Sequence, residues 1–128
     1  MGEIIRIKCN KADYDRTFNI GQGRMYVKPS GVSDSFDEDT IMKLTDLRAY
    51  GYKFDARKVL VFNRDTSDYE SKTVCTLRKD ETVKRIIEGM SADKLEVFTD
   101  DLQDLESRDL TCPVCGGKLE IVREGFWD

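Results

Sequence analysis

The most informative stretch for the fold runs from Thr111 to Asp128 and reads TCPVCGGKLEIVREGFWD. In its first part, CPVCGG at 112–117, two cysteines stand three positions apart and two glycines follow. In a turn with this spacing both thiolates can bind one metal ion, and backbone amides can donate to the sulfurs. A glycine after the second cysteine allows the positive φ that such a turn needs. The residues from Lys118 to Arg123 predict a strand.

A pair of cysteines with two residues between them can also be a thioredoxin-like redox motif. In that motif the first cysteine lies at a helix N-terminus, where the helix dipole lowers the pKa of its thiol. Here Gly116 and Gly117 follow the second cysteine directly, and a helix does not begin easily across two glycines. The pattern therefore favours a metal-binding turn, which we call a knuckle, over a redox pair.

The chain has 128 residues, four cysteines and no histidine. The lack of histidine excludes a His-based catalytic triad and a mixed Cys/His zinc site. A site of four soft protein ligands therefore uses Cys9, Cys75, Cys112 and Cys115, and four thiolates suit zinc or, at a rubredoxin-like site, iron. A closed site of this kind has no open coordination position, so it predicts a structural metal and not an enzyme.

The sequence CPVCG at 112–116 resembles the second knuckle of rubredoxins and of rubredoxin-like zinc ribbons. The first knuckle of that family reads C-x-x-C-G-Y close to the N-terminus, and residues 9–14 of this chain read CNKADY. The first and last positions match, whereas Ala12 and Asp13 replace the second cysteine and the glycine. The chain ends also resemble small uncharacterised bacterial zinc-ribbon proteins that close with CPxCGGKLE. This resemblance implies bound Zn²⁺, with iron the less favoured metal.

Proteins of that kind can carry a further CxxC in the middle of the chain. Residues 73–78, TVCTLR, look like half of such a pair, with Arg78 in place of the second cysteine. Three outcomes stay open: Cys75 completes a Cys₄ site, Asp13 supplies an oxygen as fourth ligand, or the site holds no metal. The retention of one cysteine from each incomplete knuckle favours the first outcome.

Periodicity predicts strands at 3–9, 25–27, 59–63 and 72–77. It also predicts three helices: one at 36–50 that opens with a Ser35–Glu38 capping box, one after Asp80 that carries Val83, Ile86, Ile87 and Met90, and one, within the acidic stretch 91–109, that carries Leu95, Phe98, Leu102 and Leu105. For the part of this last segment from Leu95 to Phe98, a strand is the alternative. The expected fold class is α+β, in a single domain over 1–128. A rubredoxin-like zinc ribbon is expected from 1–30 and 108–128, with an inserted segment, 31–107, of two or three helices and a small antiparallel sheet.

The net charge of −4 disfavours a module that binds duplex nucleic acid, since such modules are normally basic. The first 30 residues are nevertheless basic and contain Tyr14, Phe18 and Tyr26, so a ribbon that binds single-stranded nucleic acid is one alternative. A rubredoxin-like redox protein is another.

The function that we predict is that of a non-catalytic zinc-ribbon adaptor that binds another protein. Its expected contact surfaces are the acidic face of the last helix and the aromatic end of the chain. The residues are Asp100, Asp101, Asp104, Phe126 and Trp127, although Trp127 is also a candidate lid over the core. No segment has the length and apolarity of a membrane span, and clustered cysteines suggest a reducing compartment. We therefore expect a cytoplasmic protein.

Overall fold

The computed structural model describes residues 2–89 and 94–128. Its fold is mostly β, with 46% of the described residues in strands and 18% in helices, the 3₁₀ helix included. The first sheet has the order β2-β1-β7, and both pairings are antiparallel. Its strands are β1 (Gly2–Lys8), β2 (Asp15–Ile20) and β7 (Glu120–Trp127). In the central strand, β1, the side chains alternate between the inner and outer face as the sequence predicts. Ile5 and Ile7 are fully buried, whereas Arg6 faces outward.

The second sheet has the order β5-β4-β3-β6 and is also antiparallel. Its strands are β3 (Lys53–Asn63), β4 (Asp68–Lys79), β5 (Thr82–Ile87) and β6 (Leu95–Val97). The helices are α1 (Glu38–Ala49) and the five-residue α2 (Leu102–Glu106), and a short 3₁₀ turn spans Pro29–Val32. The two sheets are joined where Gly21 and Lys58 exchange two backbone hydrogen bonds of 2.8 Å. Gly21 has a φ of +87°, which favours glycine at this junction.

Two clusters of buried side chains form the core. The first lies beneath β1, β2 and α2, and it includes Cys112. The second lies between α1 and the β3–β4 pair, and it includes Cys75. Two of the four cysteines are therefore in different parts of the core.

The expected α+β class, a zinc ribbon with two or three inserted helices, is wrong. The segment after Asp80 is strand β5, paired with β4 from Lys79 opposite Thr82 to Val74 opposite Ile87. Asp80 does not cap a helix but occupies a hairpin turn with a φ of +54°. The β-branched residues of β5 favour strand, and pairing to a long neighbouring strand outweighs their helical spacing. Met90 lies outside the described residues.

The predicted acidic helix is also wrong over the part of the chain that the structure describes. Leu95 begins the three-residue strand β6, which pairs with the end of β3, and only Leu102–Glu106 forms a helix. Leu102 and Leu105 lie in α2 and belong to the first core cluster, whereas the buried Leu95 lies in a separate element, β6, so the spacing of the three does not come from one helix. Residues 91–93 of the acidic run lie outside the described residues.

Other local predictions are confirmed, some with different details. Helix α1 and the strands predicted near 3–9, 59–63 and 72–77 are present, although β3 and β4 are much longer. The cap of α1 is Asp37, whose carboxylate accepts from the Thr40 amide at 2.8 Å. Ser35 instead shares a 2.9 Å hydrogen bond with the buried Thr73 hydroxyl. Residues 25–27 form turns, not a strand.

Candidate metal centre

Strand pairing brings the two cysteine-containing loops to the same end of the first sheet. Lys8 at the end of β1 lies opposite Glu120 at the start of β7. Cys9 follows Lys8 directly, and the pair Cys112 and Cys115 comes shortly before Glu120. Thiols more than a hundred positions apart in sequence are therefore neighbours because β1 and β7 are antiparallel.

The N-terminal loop, residues 9–14, turns the chain from β1 into β2. The Cys9 amide donates to the Tyr14 carbonyl at 2.9 Å, and Lys8 pairs with Asp15 just outside the loop. The backbone amides of Lys11 and Ala12 donate to the Cys9 sulfur. These two donors lower the pKa of the Cys9 thiol to about 7 from its usual 9.0, because they stabilise the thiolate.

The C-terminal loop, residues 112–117, has the same closing contact. The Cys112 amide donates to the Gly117 carbonyl at 2.7 Å, and Thr111 pairs with Lys118 just outside the loop. Gly116 has a φ of +74°, and its amide donates to the Cys112 carbonyl at 2.9 Å. Gly116 therefore has the positive φ that the sequence predicted for the residue after the second cysteine.

The thiol of Cys115 is subject to opposing influences. The Gly117 amide, which donates to the Cys115 sulfur at 3.4 Å, acts to lower the pKa. The neighbouring Cys9 thiol, partial desolvation and Cys112 act in the other direction, and together they raise the pKa above its usual value. A positive ion among these sulfurs would remove the mutual repulsion of neighbouring thiolates.

Three sulfurs form the centre. The Sγ atoms of Cys9, Cys112 and Cys115 all lie within 4.8 Å of one another, and those of Cys9 and Cys115 are 3.4 Å apart. Zn–S bonds of about 2.3 Å in a tetrahedron place sulfurs about 3.8 Å apart, so the group fits one zinc ion. Cys112 is only 2% exposed, Cys9 is half-buried and Cys115 is exposed. The centre is anchored in the core and reaches the surface.

The structure does not bring Cys75 to this centre, so its expected role as fourth ligand is corrected. Cys75 lies on β4 opposite Ala56, fully buried in the second core cluster with Leu44 and Leu77. Burial, with a smaller effect of Asp55, raises the pKa of its thiol to about 12. An inward position on a long central strand makes this thiol part of the apolar packing. The Asp13 side chain is exposed, and the sulfur group does not include its carboxylate.

Two tyrosines hold the loops in place: Tyr14, which matches the last position of the first-knuckle pattern, and Tyr69, which no cysteine motif indicates. The Tyr14 hydroxyl donates to the Asp68 carboxylate, and the Tyr69 hydroxyl donates to the Thr111 carbonyl at 2.9 Å. Asp68 and Tyr69 begin β4, so the β3–β4 hairpin supports both loops. Burial and the Asp68 hydrogen bond raise the pKa of Tyr14. The match of Tyr14 to the tyrosine of the first-knuckle pattern was the one sequence signal that could have indicated that a tyrosine supports the N-terminal loop.

The acidic residues proposed as a partner surface each have a local contact. Asp100 pairs with Arg57 at 2.8 Å, and Asp104 pairs with Arg108 at 3.2 Å. Asp101 is the N-cap of α2 and accepts from the Gln103 amide at 3.0 Å. These residues lie on a loop and a short helix, not on one long helix face.

The aromatic end of β7 lies at the end of the sheet opposite to the thiols. Trp127 is half-buried, its Nε1 donates to the Ile20 carbonyl at 2.9 Å, and its ring meets that of Tyr26 edge-on at 5.1 Å. It therefore covers the core as a lid. Phe126 is 55% exposed, with the Arg123 guanidinium 5.3 Å from the centre of its ring.

The aromatic residues of the basic N-terminal segment do not form an open stacking surface. Tyr14 and Tyr26 are buried, and Phe18 packs against the first core cluster. Arg6 pairs with Asp15, and Arg16 lies 3.5 Å from Asp68. Base stacking needs exposed rings.

No protein-family model, curated protein or solved structure matches the chain. Among the described residues, no helix has the length and apolar character of a membrane-spanning segment.

Proposed function

We propose that this chain is a non-catalytic zinc-binding protein whose ion is held by the thiolates of Cys9, Cys112 and Cys115. The observation that supports the proposal is the sulfur group, with all three Sγ atoms within 4.8 Å of one another. Amide donors to the Cys9 and Cys115 sulfurs suit thiolate ligands. Three soft donors favour Zn²⁺ over hard divalent cations.

The metal's role in this proposal is structural. Zinc at this position links the end of β1 to the loop before β7, on top of the hydrogen bonds that already pair the strands. Because the thiols are distant in the unfolded chain, the free energy of zinc binding contributes to folding. The adaptor function expected from the sequence stays part of the proposal, with Phe126 as an exposed aromatic group at the end of β7 that is available to a partner protein.

The test is metal content per chain by native mass spectrometry, after purification with a phosphine reductant and equilibration with zinc. We expect one zinc per chain in the wild type and loss of zinc in Cys9→Ser and Cys115→Ser, because each variant removes one of three ligands. The matched control is Cys75→Ala, which removes a thiol outside the centre and should keep one zinc.

Two results would overturn the proposal. The first is a reduced, folded wild type that takes up no zinc. The second is a folded Cys75→Ala variant, checked by circular dichroism, that loses zinc as fully as Cys9→Ser.

A further inference from the structure

We infer that the ion at this centre keeps one exchangeable coordination position beside Ala12, and that this position accepts the thiolate of a small-molecule thiol. The inference rests on the proposed zinc site. It differs from the closed Cys₄ site that the sequence suggests, because a position open to ligand exchange makes the centre a binding site and not only a structural link.

The two loops identify Ala12 as the place of the missing ligand. In each loop the first cysteine donates its amide to the carbonyl five residues later, Cys9 to Tyr14 and Cys112 to Gly117. In each, the residues directly outside this contact are paired across an antiparallel hairpin. Three positions after the first cysteine, the C-terminal loop has Cys115 and the N-terminal loop has Ala12. By this internal equivalence, Ala12 stands where a fourth sulfur would stand.

The loops differ at the next position along the chain. Gly116 has a positive φ and donates its amide to the Cys112 carbonyl, whereas the equivalent residue, Asp13, is not among the residues with positive φ. In the N-terminal loop the Tyr14 amide donates instead to the Ala12 carbonyl at 2.9 Å.

The described residues do not supply a fourth ligand from elsewhere. The group of candidate ligand atoms contains three cysteines and no carboxylate, and Cys75 is buried in the other core cluster. Four-coordinate zinc with three protein ligands completes its shell with an outside molecule, which is water in the absence of a better donor.

The surroundings allow an outside ligand to reach the ion. Cys115 is exposed, and the neighbouring Val114 is 68% exposed. Lys11 and Asp13, which flank Ala12, are exposed as well. Thiolate is the ligand class that we assign, because soft sulfur donors suit an ion that already carries three of them. In the exchange, the thiol gives its proton to solvent, its sulfur bonds to zinc and the bound water leaves, with no change in oxidation state.

The test uses Co²⁺ in place of zinc, because the visible spectrum of Co²⁺ reports its ligands. A monothiol, 2-mercaptoethanol, is titrated into the Co²⁺-loaded wild type under anaerobic conditions with a phosphine reductant. We expect a saturable spectral change with one thiol per ion. In Ala12→Cys the protein's own fourth sulfur fills the position, so the spectrum should match the thiol-saturated wild type from the start and should not change on titration.

The matched control is Ala49→Cys, which adds a thiol at the exposed end of α1, the helix that packs against the second core cluster, and should respond like the wild type. Ala12→Cys should also bind Co²⁺ at least about tenfold more tightly than the wild type does. Residues that only hydrogen-bond to metal ligands already change metal affinity by about this factor, so an added ligand should do at least as much.

The outcomes separate the two proposals. A wild type that binds no Co²⁺ contradicts the zinc site itself. A wild type that binds Co²⁺ but shows no response to the thiol leaves the zinc site standing and overturns the open position. An Ala12→Cys protein that still responds to the thiol as the wild type does overturns its location beside Ala12.

Discussion

The four cysteines are in three different environments that the sequence alone does not distinguish. Cys112 is anchored in the first core cluster, Cys9 and Cys115 lie towards the surface beside it, and Cys75 is sealed in the second cluster. Amide donors lower the pKa of the Cys9 thiol to about 7, whereas burial raises the pKa of the Cys75 thiol to about 12. A thiolate at Cys9 near neutral pH is ready to bind metal, whereas the Cys75 thiol is not.

This contrast predicts the order in which the thiols of the metal-free protein are alkylated. Only thiolates react, so Cys9 should be labelled by iodoacetamide with half-maximal rate near pH 7, below the usual thiol range. Cys75, which is fully buried and whose pKa is raised by that burial, should stay unlabelled in the native protein over the pH range in which Cys9 reacts. Peptide mapping by mass spectrometry measures both. Equal labelling of Cys75 and Cys9 in folded protein would contradict the assignment, and unfolding in urea provides the control in which all four cysteines react.

Secondary-structure elements were predictable from sequence where local signals agree with long-range pairing. Strand β1 was found because its alternation lies within the element itself, and helix α1 was found although its cap is Asp37 and not the predicted Ser35. Strand β5 was missed because Val83, Ile86 and Ile87 have helical spacing, while their pairing partners on β4 are specified elsewhere in the chain. The tertiary pairing outweighs the weak local preference. For β6 the sequence left helix and strand open, and the pairing of this three-residue strand with β3 decides for the strand.

The turn between β4 and β5 gives a test of this correction. Asp80 has a φ of +54°, a conformation that costs non-glycine residues energy. Asp80→Gly should therefore stabilise the protein, by about 0.5 kcal/mol. If Asp80 capped a helix, the same change would destabilise it by a few tenths of a kcal/mol. Urea unfolding measures the difference.

The matched control for this turn is Glu81→Gly. Glu81 shares the turn but is not among the residues with positive φ. The change there should be destabilising, because glycine adds freedom to the unfolded chain without relieving strain in the folded one. Stabilisation by Glu81→Gly but not by Asp80→Gly would contradict the described turn.

At the scale of the whole molecule, the site depends on which strands meet. The sequence correctly identifies Cys9, Cys112 and Cys115 as members of one sulfur group, because each lies in a loop with a recognisable local pattern. It does not place Cys75, since no local pattern shows which core cluster the buried side chains of β4 join at this position. Nor does it show that Asp68 and Tyr69, from a hairpin distant in sequence, support the two loops.

The measurement that most directly tests the account is zinc-edge X-ray absorption of the zinc-loaded wild type in thiol-free buffer. It counts the sulfur ligands of the ion and gives their distances. We expect three sulfurs at about 2.3 Å and one nitrogen or oxygen ligand at about 2.0–2.2 Å, with the same result for Cys75→Ala. Four sulfurs in the wild type, with one lost in Cys75→Ala, would show that Cys75 reaches the ion and would contradict the three-thiolate centre.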